Sequence, residues 1–216
     1  MGTLRRPRRV APVLAVVAVL AAAAAGAAVT LAGSDGPTPL QVVAIRVDAA
    51  SGPAERATGV VLGAGRVLTV AHVLAAGGEV EVRGPDGTPR RASVLRTDPA
   101  LDLAVLAVAG VDAPAPQVAA DPGTRARVLV TRDGAMRERA ATVRRQITAR
   151  LVDVAGRPRR PSLELGADVR AGDSGAPVVR DDGHLVGIVY ATSRRRAGTA
   201  YAVRGPGLRR LVGSGR

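Results

Sequence analysis

Short valine-rich runs, broken every few residues by Gly, Pro or Asp, constrain this chain more than any other feature. In the first half Gln41–Asp48 (QVVAIRVD), Arg66–Val70 (RVLTV), Glu79–Arg83, Ala92–Arg96 and Asp102–Val108 each read as a strand. Arg127–Thr131, Ala140–Arg150, Ala176–Arg180, Leu185–Ala191 and Thr199–Val203 repeat the style in the second half. β-Branched side chains crowd the preceding turn of a helix but pack well on a pleated surface, so these runs favour strands. Asp-Gly steps at 86–87, 133–134 and 182–183 supply turns. Strands spaced at about 8–12 residues imply an all-β sandwich or barrel. One late segment departs from this: Leu208, Leu211 and Val212 fall at i, i+3 and i+4 within Pro206–Val212, the spacing of a short helix. A Pro/Ala-rich stretch at 113–124 reads as a linker between halves at 40–112 and 125–216. No fixed-period sequence repeat relates the two halves.

Composition removes several function classes. Cysteine is absent, which excludes a disulfide framework, a thiolate metal site and a cysteine nucleophile. The 2 His leave little for a His-built metal centre, and neither metal nor cofactor is expected. All 31 basic residues are Arg, which removes Schiff-base, P-loop and Ser–Lys chemistry. At 47% hydrophobic and 23% charged, the chain has enough apolar surface to fold. A formal charge of +13 would by itself point to a polyanion. Phe and Trp are absent, however, so stacking on bases is nearly excluded, and the arginines are scattered. No specific nucleic-acid partner is expected. The clusters Arg144–Arg145, Arg157–Arg160 and Arg194–Arg196 are read instead as contacts to an anionic membrane or wall surface.

The first residues carry a different signal. Residues 1–9 hold Arg5, Arg6, Arg8 and Arg9 and no acid, and residues 10–32 are uncharged. As a helix the second stretch would span roughly 35 Å, against a bilayer core of about 30 Å. The flanking arginines place the N-terminal end in the cytoplasm and everything after the 33–39 linker outside it. The stretch reads as a transmembrane anchor or a cleaved signal peptide. Its length, beyond the usual apolar core of a signal peptide, favours the anchor.

Three segments hold the residues for chemistry: Leu68–Leu74 (LTVAHVL), Asp98–Val108 (DPALDLAVLAV) and Gly172–Val178 (GDSGAPV). A serine hydroxyl is a poor nucleophile until a base takes its proton. His72 follows a strongly apolar strand that holds it rigidly. The base needs an acceptor on its other ring nitrogen. Asp102, opening the apolar run LAVLAV, is preferred to Asp98, which precedes Pro99 in a turn-like step. Gly172, Ser174 and Gly175 form a tight turn in which the Gly172 and Ser174 amides can converge on an oxyanion. Taken singly, such a His, Asp or Gly-Asp-Ser-Gly is usually structural; their coincidence, in this order on a β background, carries the argument. His184 reads as an exposed turn residue.

In order and context these segments resemble the His, Asp and Ser segments of chymotrypsin/trypsin-like serine peptidases. They are most similar to bacterial HtrA-like membrane-anchored members, without a PDZ domain. The resemblance covers about Leu40–Val212. It implies two six-stranded antiparallel β-barrels with a short C-terminal helix, preceded by one transmembrane helix. It also implies an extracytoplasmic serine endopeptidase acting on a protein or peptide substrate, with His72, Asp102 and Ser174 as the triad and the Gly172 and Ser174 amides as the oxyanion hole. The chain lacks the Ile-Val-Gly-Gly start of digestive members, whose freed amine pairs with the acid before the nucleophile. Asp173 therefore needs another partner, and Arg170 is the nearby candidate. Asp168 falls at the base of the specificity pocket of trypsin-type members, where an acid selects Arg or Lys. Tyr190, Thr192 and Thr199 supply its walls, the two threonines narrowing it where Gly is usual. Otherwise Asp168 is a solvent-facing loop acid. A narrowed pocket leaves a second function open, a binding or sensor module at the cell envelope with little turnover. Nothing in the sequence sets an oligomeric state.

Overall fold

The computed structural model describes residues 40–49, 52–75, 77–132, 134–150 and 159–213. The basic segment, the apolar run and the first linker lie outside the described residues. Among the described residues no helix is long and apolar enough to cross a membrane.

Twelve strands are described: β1 (Val42–Asp48), β2 (Glu55–Gly63), β3 (Arg66–Val70), β4 (Glu79–Arg83), β5 (Pro89–Asp98), β6 (Leu103–Val108), β7 (Arg125–Arg132), β8 (Ala135–Arg150), β9 (Arg159–Ala167), β10 (Pro177–Arg180), β11 (Leu185–Thr192) and β12 (Thr199–Val203). A 3-10 turn (His72–Leu74) follows β3, and one helix, α1 (Pro206–Gly213), follows β12. All strand pairs are antiparallel. The first six close into a barrel in the order β1-β2-β3-β6-β5-β4, and the last six into a second in the order β7-β8-β9-β12-β11-β10. These are the same connectivity, so the two halves repeat in topology although no repeat is legible in their residues. Closure removes open sheet edges and leaves a narrow interior that small branched side chains fill.

Two strands that the pattern does not announce complete the barrels. In β2 the apolar run is short and contains Gly59. A Cβ there would lie 2.6 Å from Val67 Cγ1 and 2.9 Å from Ile45 Cδ1, so any larger residue would push both side chains out of place. β9 begins Arg-Arg-Pro, and Pro161 sits opposite Thr148 within the ladder. A proline inside a run argues against a strand, which is why the pattern fails there. Arg132 pairs with Ala135, so β7 and β8 form a hairpin; Asp133 itself lies outside the described residues.

One hydrophobic cluster fills the first barrel and runs across the seam to Leu185, Ile188 and Val203 of the second and to Leu208, Leu211 and Val212 of α1. A second fills the C-terminal barrel with Val128, Val130, Leu163, Leu165, Val186 and their neighbours. The helix thus packs against the first barrel with the three residues whose spacing predicted it. A Cβ on Gly207 would fall 2.4 Å from Leu101 Cδ1, so α1 lies directly on the loop that leads into β6. Truncating fully buried Leu208 removes methyl groups shared by helix and barrel. We expect Leu208→Ala to lower unfolding free energy by about 2–5 kcal/mol, read as a fall in denaturant midpoint at unchanged m-value.

Candidate active site

β3 is buried along Val67–Val70 and delivers His72 at its end, at the rim of the first barrel. The facing strand β6 starts at Leu103, paired with Val70, so Asp102 falls beside the turn that carries His72. Three bonds lock the two together. The Ala71 amide donates to the Asp102 carbonyl at 3.0 Å. The His72 amide donates to Asp102 Oδ1 at 2.9 Å, and His72 Nδ1 lies 2.8 Å from Oδ2. With Nδ1 donating to the carboxylate, Nε2 is left as the basic nitrogen, on a side chain that is 46% exposed. Asp102 adopts φ +57°, a left-handed conformation that a non-Gly residue holds only at a cost of about 1–3 kcal/mol. Asp98 accepts from the Leu101 amide at 3.0 Å and so caps the turn leading to Asp102.

Ser174 lies on the second barrel side of the seam. Its carbonyl accepts from the Thr58 amide of β2 at 2.8 Å, and the Gly175 amide donates to the Val189 carbonyl of β11 at 2.8 Å. Gly175 has φ +85°, and a Cβ there would stand 2.0 Å from the Thr58 carbonyl oxygen and 2.5 Å from Thr69 Oγ1. Backbone cannot yield to that contact, so only glycine fits. Gly172, with φ +92°, gives the other bend of the turn. Among the described residues neither the Gly172 nor the Ser174 amide donates to another protein group. Both remain free for an anionic oxygen. A cavity of about 790 Å³ opens beside Gly172 and Asp173, between Arg56 and Arg132. No hydrogen bond joins Ser174 Oγ to His72 among the described residues; such bonds tighten when substrate binds.

Thr58 is the hub of this seam and is 0% exposed. Its carbonyl accepts from Thr69 Oγ1 at 2.9 Å, three residues before His72. Its hydroxyl lies 3.2 Å from Thr131 Oγ1 and accepts from the Thr131 amide of β7 at 3.3 Å. Sequence reasoning passed over Thr58 and Thr69, although a polar residue inside an otherwise apolar run is the available signal.

Asp173 is 1% exposed, so its carboxylate needs partners. Arg132, at the end of β7, supplies Nη2 at 2.6 Å and Nε at 3.2 Å, a bidentate grip. The expected partner, Arg170, contributes only its backbone amide, at 2.9 Å. Its guanidinium turns instead to Asp168, 2.9 Å away. Asp168 is 62% exposed, and the hydrogen bond from Arg170 holds its carboxyl below the usual range.

The other candidate pocket residues have separate partners. Thr199 is buried and accepts from Arg144 Nη1 at 2.9 Å. Arg144 also covers Gly166, where a Cβ would lie 2.9 Å from its Nε. Thr192 is exposed. The Tyr190 hydroxyl lies 3.1 Å from Ser162 Oγ, and the Arg160 guanidinium sits 4.5 Å from its ring centroid. Burial pushes the Tyr190 phenol above its ordinary value.

Arg160, on β9, is the cation that sequence reasoning placed on the surface, and this is a correction. It is 3% exposed, donates from Nε to the Ala100 carbonyl at 3.0 Å, and holds Nη1 3.6 Å from Asp102 Oδ2. Burial pushes its guanidinium down from the usual value, and the Asp102 charge pushes it back up. In the other clusters Arg145 and Arg196 pair with the buried Glu164 while their own side chains stay exposed, at 61% and 53%. His184 is partly buried rather than exposed, with Nε2 3.0 Å from Gln117 Oε1.

Removing Arg132 leaves the Asp173 charge buried without its ion-pair partner. We expect Arg132→Met to lower stability by about 3–5 kcal/mol in chemical denaturation. Retention of wild-type stability would show that Asp173 does not depend on this pair.

Residues 57–188 match the family described as Trypsin-like peptidase domain. Serine protease Rv3671c of Mycobacterium tuberculosis is 34% identical over 153 residues, 68% of this chain and 38% of that protein. A probable periplasmic serine endoprotease, DegP-like, of Pseudomonas fluorescens is 29% identical over 147 residues, 64% of this chain and 30% of that protein. The chain therefore matches well under half the length of these curated relatives. The crystal structure of the Rv3671c protease in its active form superposes with a TM-score of 0.70 at 32% identity, over 76% of each chain. The inactive form gives 0.66, over 76% of this chain and 83% of that one.

Proposed function

The chain belongs to the trypsin-like peptidase family, and we propose that it is a serine endopeptidase that cleaves proteins or peptides through an acyl-enzyme. The observation that carries the proposal is the His72–Asp102 pair, with its 2.8 Å bond, across the seam from a serine held between two left-handed glycines. Ser174 Oγ attacks the scissile carbonyl carbon while His72 Nε2 takes its proton. Asp102 keeps the imidazole oriented and stabilises the imidazolium. The carbonyl oxygen becomes an oxyanion that the Gly172 and Ser174 amides bind. Collapse breaks the C–N bond, and the His72 proton passes to the leaving amine. Water, deprotonated by His72, then attacks the acyl-Ser174 ester; the C–O bond breaks, the acid leaves, and the His72 proton returns to Ser174 Oγ. Water is the one further reactant.

Asp168, Tyr190, Thr192 and Thr199 are assigned to the acyl-side pocket. The exposure of Asp168 and its pairing with Arg170 favour little selection for a basic residue. The arginines at 5–9 and the uncharged run at 10–32 support a site of action outside the cytoplasm, tethered by that run.

A fluorophosphonate probe, which phosphonylates only an activated serine, is expected to label the full chain and to leave Ser174→Ala unlabelled. A folded wild-type sample that takes up no label overturns the peptidase reading and leaves a binding module. With peptide substrates, His72→Ala is expected to lower kcat by about 10⁶-fold, with a much smaller change in KM. In membrane vesicles of known orientation, the folded part is expected to be digested by added trypsin only when the extracytoplasmic face is accessible.

A further inference from the structure

A buried cation lies against the His72–Asp102 pair, and its guanidinium faces the site. Arg160 takes up a position between the turn that carries Asp102 and the ring of Tyr190. It donates to the Ala100 carbonyl at 3.0 Å, stacks 4.5 Å over Tyr190, and directs Nη1 to Asp102 Oδ2 at 3.6 Å. The same Oδ2 is the oxygen that His72 Nδ1 contacts at 2.8 Å. Arg160 and an imidazolium at position 72 therefore share one carboxylate oxygen.

We infer that Arg160 is a positioning residue of the His72–Asp102 pair, orienting the carboxylate and weakening the pair's hold on a proton. The inference rests on the peptidase reading of that pair. Two consequences follow from charge and distance. The hydrogen bond to Ala100 and the contact with Asp102 brace both ends of the loop that places Asp102 in its left-handed conformation. The guanidinium also offsets part of the Asp102 charge that would stabilise an imidazolium at position 72, an offset that a neutral side chain at position 160 removes.

The groups around the pair support this assignment. Asp102 meets His72 from the 3-10 turn and Arg160 from β9, and among the described residues these are its only ion-pair partners. Asp98, at the end of β5, faces Arg160, but its carboxylate is engaged with the Leu101 amide. Tyr190 of β11 is held by Ser162, and burial raises its phenol above the ordinary value, which keeps it neutral; Tyr201 of β12 is the other phenol near it. Among the described residues Arg160 is thus the one fixed positive charge in contact with the pair, and its burial shields that charge from salt.

The test is an NMR titration of the histidine rings in the full chain carrying Ser174→Ala, which removes turnover from the readout. The chain has 2 His, so His184 serves as an internal control for folding. In Arg160→Met the His72 titration midpoint is expected to rise by about one pH unit with His184 unchanged. In Arg160→Lys, which keeps the charge, it should stay within about a few tenths of a unit of the parent. Should the methionine variant fail to fold, Arg160→Gln carries the same comparison. A His72 midpoint that does not rise in a folded neutral variant, or that rises equally in Arg160→Lys, overturns the inference. A merely structural role would lower stability without moving the midpoint. Because the readout is protonation rather than cleavage, failure here is distinct from failure of the probe to label Ser174.

Discussion

The buried peptide of Thr58 holds the two barrels in the one alignment that makes a site. Its amide fixes the Ser174 carbonyl, its carbonyl accepts from Thr69 on the strand leading to His72, and its hydroxyl engages Thr131 on β7. In a low-dielectric seam each of these groups would be costly to leave unpaired, which makes the alignment specific rather than approximate. Gly175 follows from the same constraint, since the Thr58 carbonyl occupies the space where any side chain would begin. Each barrel is closed by its own ladder, but His72 and Ser174 sit on different barrels. On the proposed peptidase reading, function depends on the seam more than on either core.

The cores are built without Phe, Trp or disulfides, from Val, Leu, Ile and Ala. Narrow, closed barrels suit such residues, because small branched side chains fill the interior without large voids. What the chain adds is arginine directed at buried acids. Arg132 neutralises Asp173, Arg145 and Arg196 neutralise Glu164, and Arg160 sits against Asp102. Part of the large positive charge thus offsets buried carboxylates, on loops at Asp102 and Asp173 and on β9 at Glu164, whose desolvation would otherwise go uncompensated. The pair between Arg132 and Asp173 bears directly on chemistry. It anchors the turn between the two amides assigned to the oxyanion, by a contact within the folded domain.

Much of this was legible in the residues, for reasons that can be stated. Valine-rich runs with Gly and Asp at their ends announce strands, and three apolar residues at helical spacing announce α1. β2 and β9 were hidden because Gly59 and Pro161, residues that normally break a strand, stand inside them for reasons of packing and ladder position. The topological repeat was hidden because strand order is set by pairing, which leaves no fixed period in the residues. At the site, the relation of His72 to Asp102 could be read from order and spacing. The partner of Asp173 could not: Arg132 and Asp173 are far apart in sequence, and Arg170 is near. Arg160 was concealed within a run of arginines that looks solvent-facing, since no periodicity distinguishes a buried member of such a run from its neighbours.

The central claim is that the seam assembles a serine nucleophile, its base and an oxyanion site into one geometry. A crystal structure of the full chain with a peptide boronic acid tests it most directly, because boron forms a tetrahedral adduct resembling the intermediate. The account predicts a covalent bond from Ser174 Oγ to boron. One boron oxygen should lie within about 3.1 Å of both the Gly172 and Ser174 amide nitrogens, with His72 Nε2 hydrogen-bonded to the adduct. A boronic acid bound without a bond to Ser174, or an adduct whose oxygens turn away from those two amides, would contradict it.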